Sequence, residues 1–462
     1  MSQPSLPVTV LQRRLTTAQL SMIAIGGAIG TGLFLGSGFA ISLAGPAVLV
    51  SYAIGGLIAL ILMGCLAEMT VVHPSTGSFG WLAQTYVGPL AGYLVRYAYW
   101  SANVLAVGTE VTAVALYMRF WEPQVPGWWW ILGFSTILVA VNATSVRLFG
   151  WVEYGFSFVK IAAILVFLVL GGWTVLHGAA SPDIGFANYT RYGGFLPHGF
   201  GGLWIAVVVS IFSYLGIETI AVAAGEAQDP ERVIVRALRT TMARLAFFYL
   251  ATLAVMLAVM PWTRAAAGTS PFVTVMVASG VPGAASMINL VILIAALSAM
   301  NTQIYAATRM LFSLAQAGYA SPLIGHVSRR GVPLPALLLS TAGIAVAAIL
   351  YVLAPDRAFT VMIALSMFGA MFTWGMIFVT HLCFRNARRG IPGRFMMWGY
   401  PWTSLLGLLL MTAILLTTAF TGVFRLTLAY GLPFLALLSL VYAVRYRAGS
   451  ASPDAAPTQA GF

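Results

Sequence analysis

From end to end the chain alternates between apolar runs of about 20 residues and short polar punctuation, the run length that a bilayer core requires of a helix. Twelve such runs can be drawn, at residues 18–40, 46–68, 92–118, 127–146, 155–176, 201–223, 241–261, 285–314, 335–354, 359–384, 402–421 and 426–444. The third and eighth are long enough to tilt or to project beyond the bilayer. Two of the runs are interrupted at their centres. The first contains Ile25-Gly26-Gly27-Ala28-Ile29-Gly30-Thr31-Gly32, and the sixth contains Phe212-Ser213-Tyr214-Leu215-Gly216-Ile217-Glu218. Each glycine weakens a helix by about 1 kcal/mol relative to alanine. At membrane depth, broken helices are tolerated only where the freed backbone is buried in protein or lines a cavity. A pair of them in corresponding positions of two halves points to the substrate site of a secondary transporter. The plainer alternative is that the glycines only let helices pack closely.

Composition sharpens the class. Of 462 residues 60% are hydrophobic and 7% are charged, against about 25% charged in an average soluble domain. The net charge of +12 does not describe a nucleic-acid surface, because the basic residues are scattered between apolar runs and all but Lys160 are arginines. With the N-terminus placed in the cytoplasm, 17 arginines fall on the inner side and Arg119, Arg191, Arg264, Arg357 and Arg425 on the outer side. That asymmetry obeys the positive-inside rule and puts both termini in the cytoplasm. No cleavable secretory signal is read at the N-terminus: Met1–Val10 is polar and the first apolar run is too long for a signal core. The short tails and lack of targeting segments suggest a bacterial inner-membrane protein.

The expected organisation is a cytoplasmic tail over 1–17, one membrane domain over 18–446, and a disordered tail over 447–462 rich in Ala, Ser, Pro and Gly. Cys65 and Cys383 both fall near cytoplasmic span ends, which argues against a disulfide, and no zinc-type Cys/His spacing occurs. The stretch 179–200 reads as an external loop. In 226–240, Asp229 before Pro230 suits the cap and first turn of a helix leading into the seventh run. The Arg- and Gly-rich stretch 386–400 should lie against anionic headgroups. Since the two broken runs are five apart, and five is odd, the second unit would be inverted relative to the first. Residues 18–176 and 201–384 are then the two repeats, with the last two helices added.

Several motifs resemble those of one family. The run LTTAQLSMIAIGGAIGTGLFLGSG (Leu15–Gly38) resembles the first-span signature of amino acid permeases of the amino acid–polyamine–organocation (APC) superfamily. YAIGGLIALILMGCLAEM (Tyr52–Met69), HPSTGSF (His73–Phe79) and FSYLGIETIAVAAGEAQDPER (Phe212–Arg232) are similar to its later signatures. ATRMLFSLAQAGYAS (Ala307–Ser321) also matches, except that Ser321 then Pro322 stand where the family often has proline first. The matches stay collinear from about residue 13 to 445 and fit the amino acid transporter branch. The resemblance implies an all-α fold like that of LeuT: about 12 transmembrane helices, a 5+5 inverted repeat with helices 1 and 6 discontinuous, and two further helices.

Physics and resemblance agree on the ligand. Unwinding at Gly30-Thr31-Gly32 exposes amides at the start of a half-helix, whose positive end attracts a carboxylate. Freed carbonyls at Ala28 and Ile29 accept from an ammonium group, and by resemblance those of Phe212 and Leu215 complete the amine site. A zwitterionic amino acid satisfies both. Phe212 matches the family's gating aromatic, with ordinary packing as its alternative. Tyr214 either presents its hydroxyl to the cavity or packs, and Gly216 belongs to the break.

Ionisable side chains inside a membrane are costly and functional by default. Glu110 matches an acid of the third span in many family members and is a candidate for proton linkage or substrate contact. Glu218 resembles the family's acid at the second break, as a gate or as an acceptor for freed amides. Lys160 either snorkels to the interface or, by resemblance, points to the first break, where proton-coupled relatives place a lysine in place of a bound sodium. Glu68 reads as an ion-pair partner at the inner end of the second run. His73, His177, His198, His326 and His381 read as interfacial. Asn301, Gln303, Ser366 and Met367 are candidate pocket-lining residues.

The reading that results is proton-coupled amino acid uptake by alternating access, with substrate, protons and membrane lipid as partners. No cofactor or metal is expected, the proton gradient being the energy source. Lacking a free anion other than Glu110 for a cationic substrate, the chain leans to neutral, aromatic or γ-amino substrates. An amino acid exchanger of the same fold is the alternative. A channel fits poorly with dissimilar broken helices, and no nucleophile, base or metal set suggests an enzyme. The oligomeric state is not legible.

Overall fold

A computed structural model describes residues 16–74, 77–177, 183–226, 230–265, 270–389, 391 and 395–446. The expected tail at 447–462, nearly all of the tail at 1–17, and the Asp229 cap lie outside the described residues. Among those described there is no strand. The first span is three pieces, α1 (Thr17–Ala28), α2 (Thr31–Phe34) and α3 (Gly36–Ala44), and α4 (Val48–Val72) is the second. A short α5 (Ser78–Tyr86) leads to α6 (Pro89–Met118), α7 (Gly127–Thr144) and α8 (Val146–His177). The sixth span is α9 (Gly199–Tyr214) and α10 (Thr219–Ala223), followed by α11 (Pro230–Val259) and a short α12 (Pro271–Ala278). Then come α13 (Ala284–Gln316), α14 (Leu334–Ser340) with α15 (Ala342–Leu353), α16 (Pro355–Ala387), α17 (Trp402–Thr417) and α18 (Arg425–Arg445).

Helix starts follow local chemistry. Proline lies in the first turn of α6, α12, α14 and α16, where its missing amide costs nothing. Thr16 and Gln19 form a reciprocal cap on α1, the Gln19 amide donating to the Thr16 hydroxyl and the Thr16 amide to the Gln19 side chain.

Among the described residues eleven helices are long and apolar enough to span a membrane, one fewer than the twelve apolar runs of the sequence. The difference is the first span, of which Ala18–Phe34 is a 17-residue apolar piece by itself, while its remainder from Gly36 runs on into the second span as Gly36–Val72. Two short helices, α5 and α12, were not drawn. Both are held by tertiary burial, of Phe79 and Leu82 in one and Phe272 and Val275 in the other. Besides α6 and α13, α8 and α16 also run to 32 and 33 residues.

The bundle is layered. The helices α6 and α9–α10 are almost wholly enclosed, whereas α7, α8, α17 and α18 turn most of their surface outward. That outer surface carries large apolar side chains such as Phe158, Leu409 and Leu437, a solvent-incompatible arrangement on this scale that suits lipid. The inter-helix contacts recur under a shift of five spans. The second span packs on the sixth as the seventh packs on the first, and the third packs on the tenth as the eighth packs on the fifth. The pivots of this arrangement are α6 against α13 and α4 against α11.

Candidate functional site

Both breaks lie in the centre of the bundle and touch. Helix α1 closes with the Ile29 amide on the Ile25 carbonyl, and Ile29 and Gly30 then take non-helical conformations (φ −86°, ψ 89° and φ −128°, ψ −152°) before α2 begins. The Leu33 and Phe34 amides both bond the Gly30 carbonyl. The amides of Thr31 and Gly32 therefore stand at the start of the half-helix, where no carbonyl precedes them in register. In the sixth span Leu215 is extended and Gly216 has φ +99°, a conformation that excludes most side chains. A Cβ on Gly216 would lie 2.6 Å from the Gly27 carbonyl carbon, and one on Gly32 would lie 2.6 Å from the Ser213 Cα. The two breaks thus cross backbone to backbone at two places, and glycine is the residue that permits it.

The freed groups are taken up by polar side chains from four other helices. Lys160 on α8 is fully buried, and its Nζ donates to the carbonyls of Gly26 (2.6 Å) and Ile29 (2.8 Å) and to the Ser298 hydroxyl (2.7 Å). The ammonium thus occupies the negative end of α1. The Ser298 hydroxyl in turn donates to Glu153, two turns before Lys160 on the same face of α8, and Glu153 also accepts from the Asn301 amide (3.0 Å). Ser157 on the same face donates to the Met22 carbonyl (2.9 Å). From α11, the Tyr249 hydroxyl is shared between the Ala28 carbonyl (2.8 Å) and the Ser213 carbonyl (2.6 Å), so one group bridges both breaks. Tyr52 on α4 pairs with the Ser213 hydroxyl at 2.9 Å, and Tyr214 donates to the Tyr52 carbonyl at 3.2 Å. The rings of Tyr214 and Tyr249 meet at 4.8 Å.

Glu110 on α6 reaches the start of α2, where it accepts from the Thr31 hydroxyl at 3.1 Å, while its other carboxyl oxygen is buried without a partner. Glu218 turns back onto its own break. It accepts from the Gly216 amide (3.2 Å), from Tyr99 on α6 (3.1 Å) and from the indole of Trp374 on α16 (3.3 Å). Phe212 is buried at 5% exposure.

Of the residues singled out from sequence, Ala28, Ile29, Gly30, Thr31, Gly32, Lys160 and Glu110 converge on the first break, and Phe212, Tyr214, Leu215, Gly216 and Glu218 form the second. The carbonyl of Ile29 is engaged by Lys160 and that of Ala28 by Tyr249, so an incoming ammonium group would share these acceptors. Asn301 holds Glu153 and accepts from Asn142 (2.8 Å), and Ser366 bonds a carbonyl of its own helix. Lys160 does not snorkel: its exposure is 0%.

Glu68 lies at the far end of α4 and pairs with Arg385 (2.6 Å) and the Met397 amide (2.7 Å). His381 is fully buried between Glu68 and Ser404 rather than interfacial. At the same membrane face a second buried pair joins Glu226 to Arg309 (2.5 Å), and Tyr305 donates to Glu226 (2.8 Å).

The sequence reading missed Glu153, Ser298, Tyr249 and Tyr52. Glu153 falls just before the fifth apolar run at 155–176, yet it stands seven residues before Lys160, a spacing that returns to the same helix face after two turns. The tyrosines and Ser298 carry no such signal. Among the described residues no group of three His, Cys, Asp or Glu side chains is placed to hold a metal.

Fold and centre together define an all-helical, multi-pass membrane protein built around two broken helices whose freed backbone groups face one another. Residues 19–449 match the family model of amino acid permeases. The aromatic amino acid transport protein AroP of Escherichia coli (strain K12) is 40% identical over 413 residues, covering 89% of this chain and 90% of that protein. AroP of Salmonella typhimurium (strain LT2) matches to the same extent. The uncharacterized amino acid permease YtnA of Bacillus subtilis is 37% identical over 438 residues, covering 94% of this chain and 95% of its own. The chain belongs to the amino acid permease family. It is a transporter of amino acids rather than an enzyme.

Proposed function

We propose that the protein takes up amino acids across the bacterial inner membrane by alternating access, driven by inward proton flow, with both termini in the cytoplasm. The observation that carries this reading is the position of the Lys160 ammonium on the carbonyls of Gly26 and Ile29. A protonated lysine satisfies the broken end of α1, and loss of its proton removes the charge that holds it there. The state of one proton is thereby tied to the geometry of the first break. Glu110, with one oxygen on Thr31 and the other without a partner, is the second proton-handling group, at the start of α2.

The substrate carboxylate binds at Gly30–Gly32 and its ammonium near the carbonyls of Ala28, Phe212 and Leu215, with Phe212 closing over it. Glu218 keeps the second break in shape through the Gly216 amide. Residues 18–176 and 201–384 act as the two inverted repeats that exchange positions. The names of the relatives favour aromatic amino acids as substrates. No cofactor takes part.

The test is uptake of a panel of labelled amino acids into proteoliposomes, with and without an inward pH gradient, for wild type and Lys160→Ala. Accumulation of aromatic amino acids that requires the gradient, and is lost in the variant, supports the reading. Sodium-driven accumulation independent of the proton gradient overturns the coupling, and exchange alone under every gradient makes the protein an antiporter.

A further inference from the structure

A groove of about 530 Å³ opens on the side of the bundle between the end of α6 and the starts of α7 and α13. No residue of the transport centre lines it. Its walls are graded along the membrane normal. Trp121 and Glu122 follow the last turn of α6 at the rim, Trp130 and Phe134 lie one turn apart on α7, and Leu290 and Leu293 line it further along α13. At 1.5 Å per residue, Leu293 stands roughly 14 Å below the start of its helix.

The polar groups are confined to the upper part. Glu122 is exposed and, among the described residues, forms no ion pair. The Trp130 indole nitrogen is buried and has no hydrogen-bond partner, a cost that an acceptor would remove. The Trp121 indole, by contrast, is satisfied by the Ser286 hydroxyl at 2.7 Å. The rim therefore offers a carboxylate and an indole N–H in want of an acceptor, beside aromatic faces that attract a cation. The lower half offers hydrocarbon alone. Met287 and Leu290, 67% and 46% exposed, leave the α13 side open to the bilayer.

We infer that this groove holds a phospholipid with a primary-ammonium headgroup. The ammonium pairs with Glu122, the Trp130 ring turns as the headgroup seats so that its now buried N–H donates to a phosphate oxygen, and an acyl chain runs past Phe134, Leu290 and Leu293. A free zwitterion would satisfy the rim but leave the lower half of the groove without an occupant, so the gradation selects an amphiphile. Such a lipid would clamp α6 and α7 of the first repeat against α13 of the second.

The test uses the full chain purified in detergent and native mass spectrometry with phosphatidylethanolamine or phosphatidylglycerol of identical acyl chains. Wild type should retain one phosphatidylethanolamine per chain in preference to phosphatidylglycerol. Glu122→Gln, an exposed position whose change should leave the melting temperature unaltered, should lower that preference about tenfold, the scale of one charge-assisted hydrogen bond. Trp130→Phe should weaken retention of both lipids. A photoactivatable acyl chain on phosphatidylethanolamine should label peptides containing Phe134 or Leu290. Equal retention of the two lipids by wild type, an unchanged preference in Glu122→Gln, or labelling elsewhere would overturn the assignment. Displacement of the lipid by a free aromatic amino acid would give the groove to a soluble zwitterion instead.

Discussion

Lys160 and Glu153 lie on one face of α8 and are joined through the hydroxyl of Ser298, which accepts from the amine and donates to the carboxylate. The order of donors fixes the direction of this three-group chain. It also means that the acid acts on the first break only through its neighbours, since the groups bonded directly to α1 are the amine, Ser157 and Tyr249.

Removing the acid should therefore damage the break indirectly. Glu153→Gln takes from the buried ammonium the carboxylate that faces it through Ser298, and removing one partner of a buried charge pair costs up to about 3–5 kcal/mol. The expected result is a lower melting temperature and loss of most uptake, whereas Ser298→Ala should cost less, about 1–2 kcal/mol, because the two charges remain. Thermal melting of the purified variants beside proteoliposome uptake checks the ranking. An undisturbed Glu153→Gln would show that the acid is idle.

Tyr249 makes a separate prediction. Its hydroxyl bonds backbone carbonyls of both breaks, at Ala28 and Ser213, so Tyr249→Phe should loosen their mutual position while keeping the ring packed on Tyr214. We expect a stability loss of about 1–3 kcal/mol and a changed balance between inward- and outward-open forms. Labelling rates of single cysteines placed near Glu68 and near Arg264, on the expected outer side, would report that balance. Rates equal to those of the parent would remove Tyr249 from the conformational machinery.

Gly216 should tolerate no side chain. Gly216→Ala combines a left-handed backbone angle with a Cβ driven into the Gly27 backbone, two costs that relaxation of a flexible side chain cannot relieve. Gly133→Ala, where nothing lies within 4 Å of the added carbon, serves as the control. The first variant should be inactive or absent from the membrane and the second should transport as wild type. Uptake by Gly216→Ala at wild-type rate would mean that the two breaks do not need their close approach.

The Glu226–Arg309 pair allows a double-variant test. Arg309→Met alone should destabilise by about 3–5 kcal/mol because Glu226 is left buried and unpaired, while adding Glu226→Gln should recover much of the loss. Melting temperatures of the two singles and the double measure the coupling. Additive losses would show that the pair is solvated in the working protein.

Much of this was legible in the sequence because glycine clusters and intramembrane acids are expensive and so rarely accidental. Gly30, Gly32, Gly216, Glu110, Glu218 and Lys160 each violate what a lipid-facing helix wants, and each lies at the centre. Glu153 escaped because hydropathy alone sets a span limit at the first charge, whereas its real surroundings are Ser298 and Asn301 on α13. Tyr249, Tyr52 and Ser298 were invisible because tyrosine and serine are ordinary in apolar helices. What makes these three important is the partner across the bundle, and a single chain read linearly does not reveal which helices are neighbours. His381 was misread on similar grounds, since its place near a span end gave no hint of Glu68 and Ser404 closing around it.

The cation at the first break is part of the polypeptide. Its local concentration is set by a covalent tether, so it has no dissociation rate and no dependence on the metal ions of the medium. Salt added outside the cell should change how exposed charges are screened without changing how α1 is held at its broken end. The helix break is thus held by the chain itself, whatever metal ions the water around it contains, and the proton alone among small cations enters into how it is held.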